Sequence, residues 1–119
     1  MNTDITTGEQ SVTTTGAIPG SLDTSALIAA YTVRARFKLD KGVAVVALED
    51  TANASAFSDA VRVAVFHVHG PTPTEGDIRS IREYQIPATR FGATNTKLRF
   101  NVLAIAGGGT LTAWGWLEQ

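Results

Sequence analysis

The sequence predicts an all-β protein: a single antiparallel β-sandwich, jelly-roll or Ig-like, with an extended N-terminal arm. Three observations carry this. Short strand-like runs recur between Gly- and Pro-rich turns, and no long helical pattern interrupts them. Tyr31, Val33, Ala35, Phe37 and Leu39 alternate with Thr32, Arg34, Arg36 and Lys38, the period of a half-buried strand. Residues 1–24 are rich in Thr, Ser and Gly and too poor in apolar side chains to bury a core of their own.

The arm comes first in the chain. Its only charges are Asp4, Glu9 and Asp23, all acidic. An ordered segment of this composition must be held by something. Either Ser11 to Ile18 adds a strand to its own domain, or the arm lies on a neighbouring subunit. The division into an arm, residues 1–24, and a sandwich domain, residues 25–119, follows from this change in composition. Asp23 or Thr24 could cap one or two helical turns over 24–30.

From Tyr31 the reading is β. Asp40-Lys41-Gly42 is a turn, read as a hairpin into Val43–Leu48, an apolar run on both faces. Residues 51–59 form a small-residue loop with Phe57 as its anchor. Residues 60–69 are a strand, 70–77 an exposed Pro-containing loop, and 78–86 a further strand that Pro87 ends. Residues 96–105, the turn Gly107-Gly108-Gly109 and residues 110–117 read as a closing hairpin.

Three strands are apolar on both faces: 43–48, 60–66 and 111–117. A two-sheet sandwich has one core, so the second face must lie under a loop or arm or against another subunit. On the last strand Trp114 and Trp116 share one face, while Leu111, Ala113, Gly115 and Leu117 share the other. Interface candidates are therefore Ser11, Val12 and Ile18 in the arm, Arg34 and Arg36 on the basic strand face, and Trp114 and Trp116.

Composition excludes several classes. The net charge of −1 lacks the basic surplus of a nucleic-acid partner. No apolar run reaches the roughly 20 residues of a membrane helix, and the polar, acidic start does not fit a signal peptide. Without cysteine there is no disulfide or thiolate metal site. His67 and His69 share a strand face and are weak metal candidates whose third ligand would have to come from Glu75, Asp77 or another subunit. Glu49 and Asp50 point to opposite faces, so they cannot act together on one substrate. They cap the strand or meet a basic residue across a subunit boundary. No nucleophile motif accompanies the histidines, and Gly107–Gly109 lacks the lysine and helix of a phosphate loop. The expectation is no enzyme and no cofactor. A carbohydrate-binding module is a rival reading, with Trp114 and Trp116 as its platform. Burial of those rings would be incompatible with it.

Leu48-Glu49-Asp50-Thr51-Ala52, then Phe57-Ser58-Asp59-Ala60-Val61, resembles a pattern of small β-sandwich virion structural proteins of tailed bacteriophages. Arg90-Phe91-Gly92, Leu98-Arg99-Phe100-Asn101-Val102 and Gly108-Gly109-Thr110-Leu111-Thr112 resemble the later motifs of the same family. The resemblance covers about residues 31–119 and departs at Asn53-Ala54-Ser55, where the family has an Asp-Gly turn. It implies a capsid decoration (cement) protein on the virion surface, made in the bacterial host cytoplasm. Its partners would be the major capsid protein and itself, as a homotrimer. The other virion roles are a head-fibre base, a head–tail joining protein or a tail protein.

Overall fold

The computed structural model describes residues 2–23, 32–51, 61–70, 81–87 and 97–118. The readings for 24–30, for the loops around Phe57 and Pro71, for the turn at Asn53-Ala54-Ser55 and for Arg90-Phe91-Gly92 lie outside them. Ten strands run along the described chain: β1 Asn2–Asp4, β2 Gln10–Val12, β3 Gly16–Ala17, β4 Leu22–Asp23, β5 Thr32–Leu39, β6 Val43–Thr51, β7 Val61–His69, β8 Ile81–Pro87, β9 Lys97–Ala106 and β10 Leu111–Glu118. All pairings are antiparallel.

The first sheet has the order β1-β10-β5-β8, with β2 beside β1 on the same edge of β10. The second has the order β3-β9-β6-β7, with β4 beside β3 on β9. Counting β1 with β2, and β3 with β4, as broken halves of one strand leaves four positions per sheet. The chain alternates between sheets at every step except β6 to β7. This is the double Greek-key wrap of a jelly roll, so the sandwich is of the first of the two expected kinds.

Two turns read as hairpins are not hairpins. Asp40–Gly42 carries the chain from β5 in the first sheet to β6 in the second, and Gly107–Gly109 carries it back from β9 to β10. They are arches over the same end of the core. A hairpin and an arch need similar turn residues, and only the packing of the sheets separates them. The two arches touch backbone to backbone. Gly42 has φ +81°, and a Cβ there would sit 2.0 Å from the Ala106 carbonyl oxygen, so no side chain fits. The Asp40 carboxylate accepts a hydrogen bond from the Thr110 N–H at 2.6 Å. That bond holds its pKa below the ordinary carboxylate value.

The core lies between the sheets. Val33, Ala35, Phe37 and Leu39 of β5 meet Ala44, Val46 and Leu48 of β6, with Leu98, Phe100 and Val102 of β9 and Leu111, Ala113 and Leu117 of β10. Phe37, Phe66 and Phe100 form its aromatic centre. Ring centroids lie 5.5 Å apart for Phe37–Phe66, 6.0 Å for Phe37–Phe100 and 6.4 Å for Phe66–Phe100. Gly115 makes room for this cluster, since a Cβ there would fall 2.1 Å from Phe100 Cε2.

The N-terminal segment is woven into both sheets. Asn2 to Asp4 pair with Glu118 to Trp116, and Gln10 to Val12 with Ala113 to Leu111. Gly16 and Ala17 pair with Val102 and Asn101, and Leu22 and Asp23 with Leu98 and Lys97. Between the halves the segment breaks away. Ile5 and Thr6 both donate their N–H to the Gly115 carbonyl, at 2.8 and 3.2 Å. The Thr6 hydroxyl accepts from the Gly115 N–H at 3.1 Å. Ile5 and Ile18, each 1% exposed, fill the core edge between the sheets. Here the strand-addition alternative is the geometry found, with pairing to the chain's own β9 and β10.

Candidate functional site

The two outer sheet faces are the candidate surfaces of this sandwich. They differ sharply.

The outer face of the first sheet carries the sequence-derived candidates Arg34, Arg36, Trp114 and Trp116. β10 points Leu111, Ala113, Gly115 and Leu117 inward, so both tryptophans point outward. Trp114 and Trp116 pack on each other with centroids 4.7 Å apart and planes tilted by 41°. Trp114 Nε1–H donates to Asp4 Oδ1 at 3.0 Å, and Trp116 Nε1–H to Glu118 Oε1 at 3.2 Å. The Arg36 guanidinium lies 5.8 Å from the Trp116 ring centre, a cation–π contact. Arg34 Nε pairs with Glu118 Oε2 at 2.8 Å. Trp116 is only 6% exposed. The indole donors of this face are already satisfied within the chain, and the Trp116 ring is covered. A glycan platform needs open ring faces, which Trp116 does not offer.

The arm candidates occupy different environments. Ser11 is exposed on β2 opposite Thr112, and Val12 is half-buried against the core. Ile18 is a core residue, with its N–H donating to the Phe100 carbonyl at 2.9 Å.

The outer face of the second sheet runs from a closed end to an open one. At the closed end Ala47 and Thr51 are fully buried, and Glu49 is nearly so. Glu49 Oε1 pairs with Arg99 Nε at 2.8 Å, and its other oxygen accepts from Asn101 Nδ2 at 3.4 Å. The basic partner expected across a subunit boundary is thus in the same chain, one strand away, because the β6–β9 register sets Glu49 directly opposite Arg99. Asp50 points the other way, as the alternation required, and is buried. Removing Arg99 alone would strand a nearly buried carboxylate. Arg99→Ala should cost about 3 kcal/mol in urea unfolding, and the Glu49→Ala/Arg99→Ala double variant distinctly less than the sum of the singles.

At the open end Val43 is 54% exposed and Val65 44% exposed, the two large apolar side chains most open to solvent among the described residues. Val45 stands between them and is half-buried, with Ala104 and Ala106 exposed on β9. Arg62 and His67 are exposed along β7. The register puts His67 opposite Val45 and His69 opposite Val43, so the two histidines share a face as expected. His69 Nδ1 lies 2.9 Å from the Gly70 carbonyl oxygen. Among the described residues no group of three potential metal ligands forms. The sequence marks 43–48 and 60–66 as two-faced strands but does not single out Val43 and Val65. A strand apolar on both sides does not reveal which side the core takes.

No protein-family model matches the chain, and no curated protein matches it. Solved structures do. The infectious bursal disease virus VP2 subviral particle aligns over 98% of this chain at 16% identity, with a TM-score of 0.40. The structures of the infectious bursal disease virus Gx and Gt strains align over the same share at 11% and 15% identity, with TM-scores of 0.39 and 0.37. The chain spans 28–29% of the length of those chains.

Proposed function

We propose that this chain is a virion structural protein: a decoration (cement) protein that binds the outer surface of a tailed-phage capsid and stabilises it through contacts between subunits. Its partners are the major capsid protein and copies of itself, as a homotrimer. The observation that carries the reading is an eight-position jelly roll with a filled core that still leaves apolar side chains outside it, at Val43 and Val65. The phage resemblance supports it. Those of its quoted segments that lie among the described residues fall at the end of β6, in the first half of β9 and at the β9–β10 arch. The fold is one that viral capsid and lectin domains share.

The mechanism is additive. Each copy covers a small area, and a repeating lattice multiplies modest contacts into a stable array. Rigid sheets hold the contact residues in place, so little ordering is lost on docking.

Recombinant protein mixed with emptied shells of the phage that encodes it should co-sediment, at a copy number that follows the shell lattice. Added protein should raise the temperature at which the shells break. Absence of co-sedimentation sinks the proposal. Incorporation confined to a single vertex would replace it with the head–tail joining reading.

A further inference from the structure

We propose that the open end of the second sheet's outer face, centred on Val43, Val45 and Val65 and bordered by Arg62 and His67, is the surface that docks on the shell. The partner it fits is an acidic protein surface with an apolar strip at its centre. This rests on the decoration reading and names the sheet and the chemistry it uses.

The two faces of the sandwich make the assignment. On the first sheet the tryptophans stack on each other, their N–H groups are bound by Asp4 and Glu118, and Arg34 is paired. The apolar rings of that face have their polar groups satisfied within the chain, and Trp116 is covered. On the second sheet two valines stay open, 54% and 44% exposed, in a chain whose other large described apolar residues are covered more fully. Contiguous exposed apolar side chains on a rigid sheet mark a contact surface.

Charge selects the partner. Arg62, Lys97 and Arg99 all lie on the outer side of this sheet. Among the described residues, the carboxylates that face them are Glu49, held by Arg99 at 2.8 Å, and Asp23, held by Lys97 at 3.1 Å. Of the described charges on this face, Arg62 is the surplus cation, in a chain of net charge −1, and His67 adds an imidazole beside the valines. A second copy presenting the same face would bring arginine toward arginine around the valines. An acidic partner would gain at both the rim and the centre. Bare nucleic-acid backbone would leave the valines unmatched.

The test uses the full chain with three substitutions, each at an exposed position. Val65→Glu and Arg62→Glu alter the proposed face, and Lys38→Glu alters the opposite one. Circular dichroism and melting establish that each is folded. Val65→Glu and Arg62→Glu should each weaken shell binding by about tenfold or more, while Lys38→Glu should bind as the unsubstituted protein does. Unchanged binding by the first two, with loss in the third, overturns the assignment while leaving the decoration reading intact. Failure of the unsubstituted protein to bind overturns the decoration reading itself. Sedimentation of the free protein gives a further arm. If Val65→Glu dissociates an oligomer of the free protein and leaves shell affinity unchanged, a second copy occupies this face and the proposal is overturned.

Discussion

A chain that begins at Thr24 should not fold. Removing residues 1–23 takes away Ile5 and Ile18, both at 1% exposure in the core. Each buried isoleucine is worth about 2–5 kcal/mol when truncated to alanine. The deletion also strips one edge of both sheets, at β10 and at β9. A domain of this size has about 5–15 kcal/mol of stability in all, so the loss consumes most or all of it. Circular dichroism should show a collapsed or disordered chain, and proteolysis should degrade it. A cooperative melt within a few degrees of the full chain would refute the view that these strands belong to the sandwich. For the same reason, loss of shell binding in such a deletion would not locate an interface. Point substitutions at exposed positions are the cleaner probe.

The second large effect is expected at the aromatic centre. Phe100 packs on Phe37 and Phe66 and occupies the space that Gly115 leaves open. Phe100→Ala should cost about 3–5 kcal/mol in urea unfolding. Gly115→Ala should cost about 1–3 kcal/mol by forcing a methyl group against the ring. The double variant should be less destabilised than the sum, because the new methyl group enters the space the ring vacated. Strict additivity would mean that the two positions do not share that space.

Much of the framework was legible in the sequence. The alternation over Val33–Leu39 placed β5, and the period of β10 correctly separated Leu111, Ala113, Gly115 and Leu117 from Trp114 and Trp116. What failed to show was non-local. The turns at Asp40–Gly42 and Gly107–Gly109 have the composition of hairpin turns, yet each joins different sheets. Nothing within three residues encodes which partner a strand will choose. The N-terminal segment offered two isolated isoleucines in a polar stretch, with no periodicity to reveal them as core. They become core only because β9 and β10 leave gaps at their edges. The candidate surface was legible as an excess of apolar faces. Its location was not, since Val43 and Val46 look alike in a run of valines, and the strand's rotation alone decides which one meets water.

The pairing of Asn2 with Glu118 has a consequence for how the protein is made. The first strands of the sandwich to be synthesised have their sheet partners in its last ones. β1 and β2 must wait for β10, and β3 and β4 for β9. Among the described strands, only β6 and β7 are consecutive and paired in the same sheet, so they can join early. Folding dominated by such distant pairings is slow, and β1–β4 stay unpaired until β9 and β10 have been made. Their sparse apolar content then protects the nascent chain: a stretch of Thr, Ser and Gly can wait in water without aggregating.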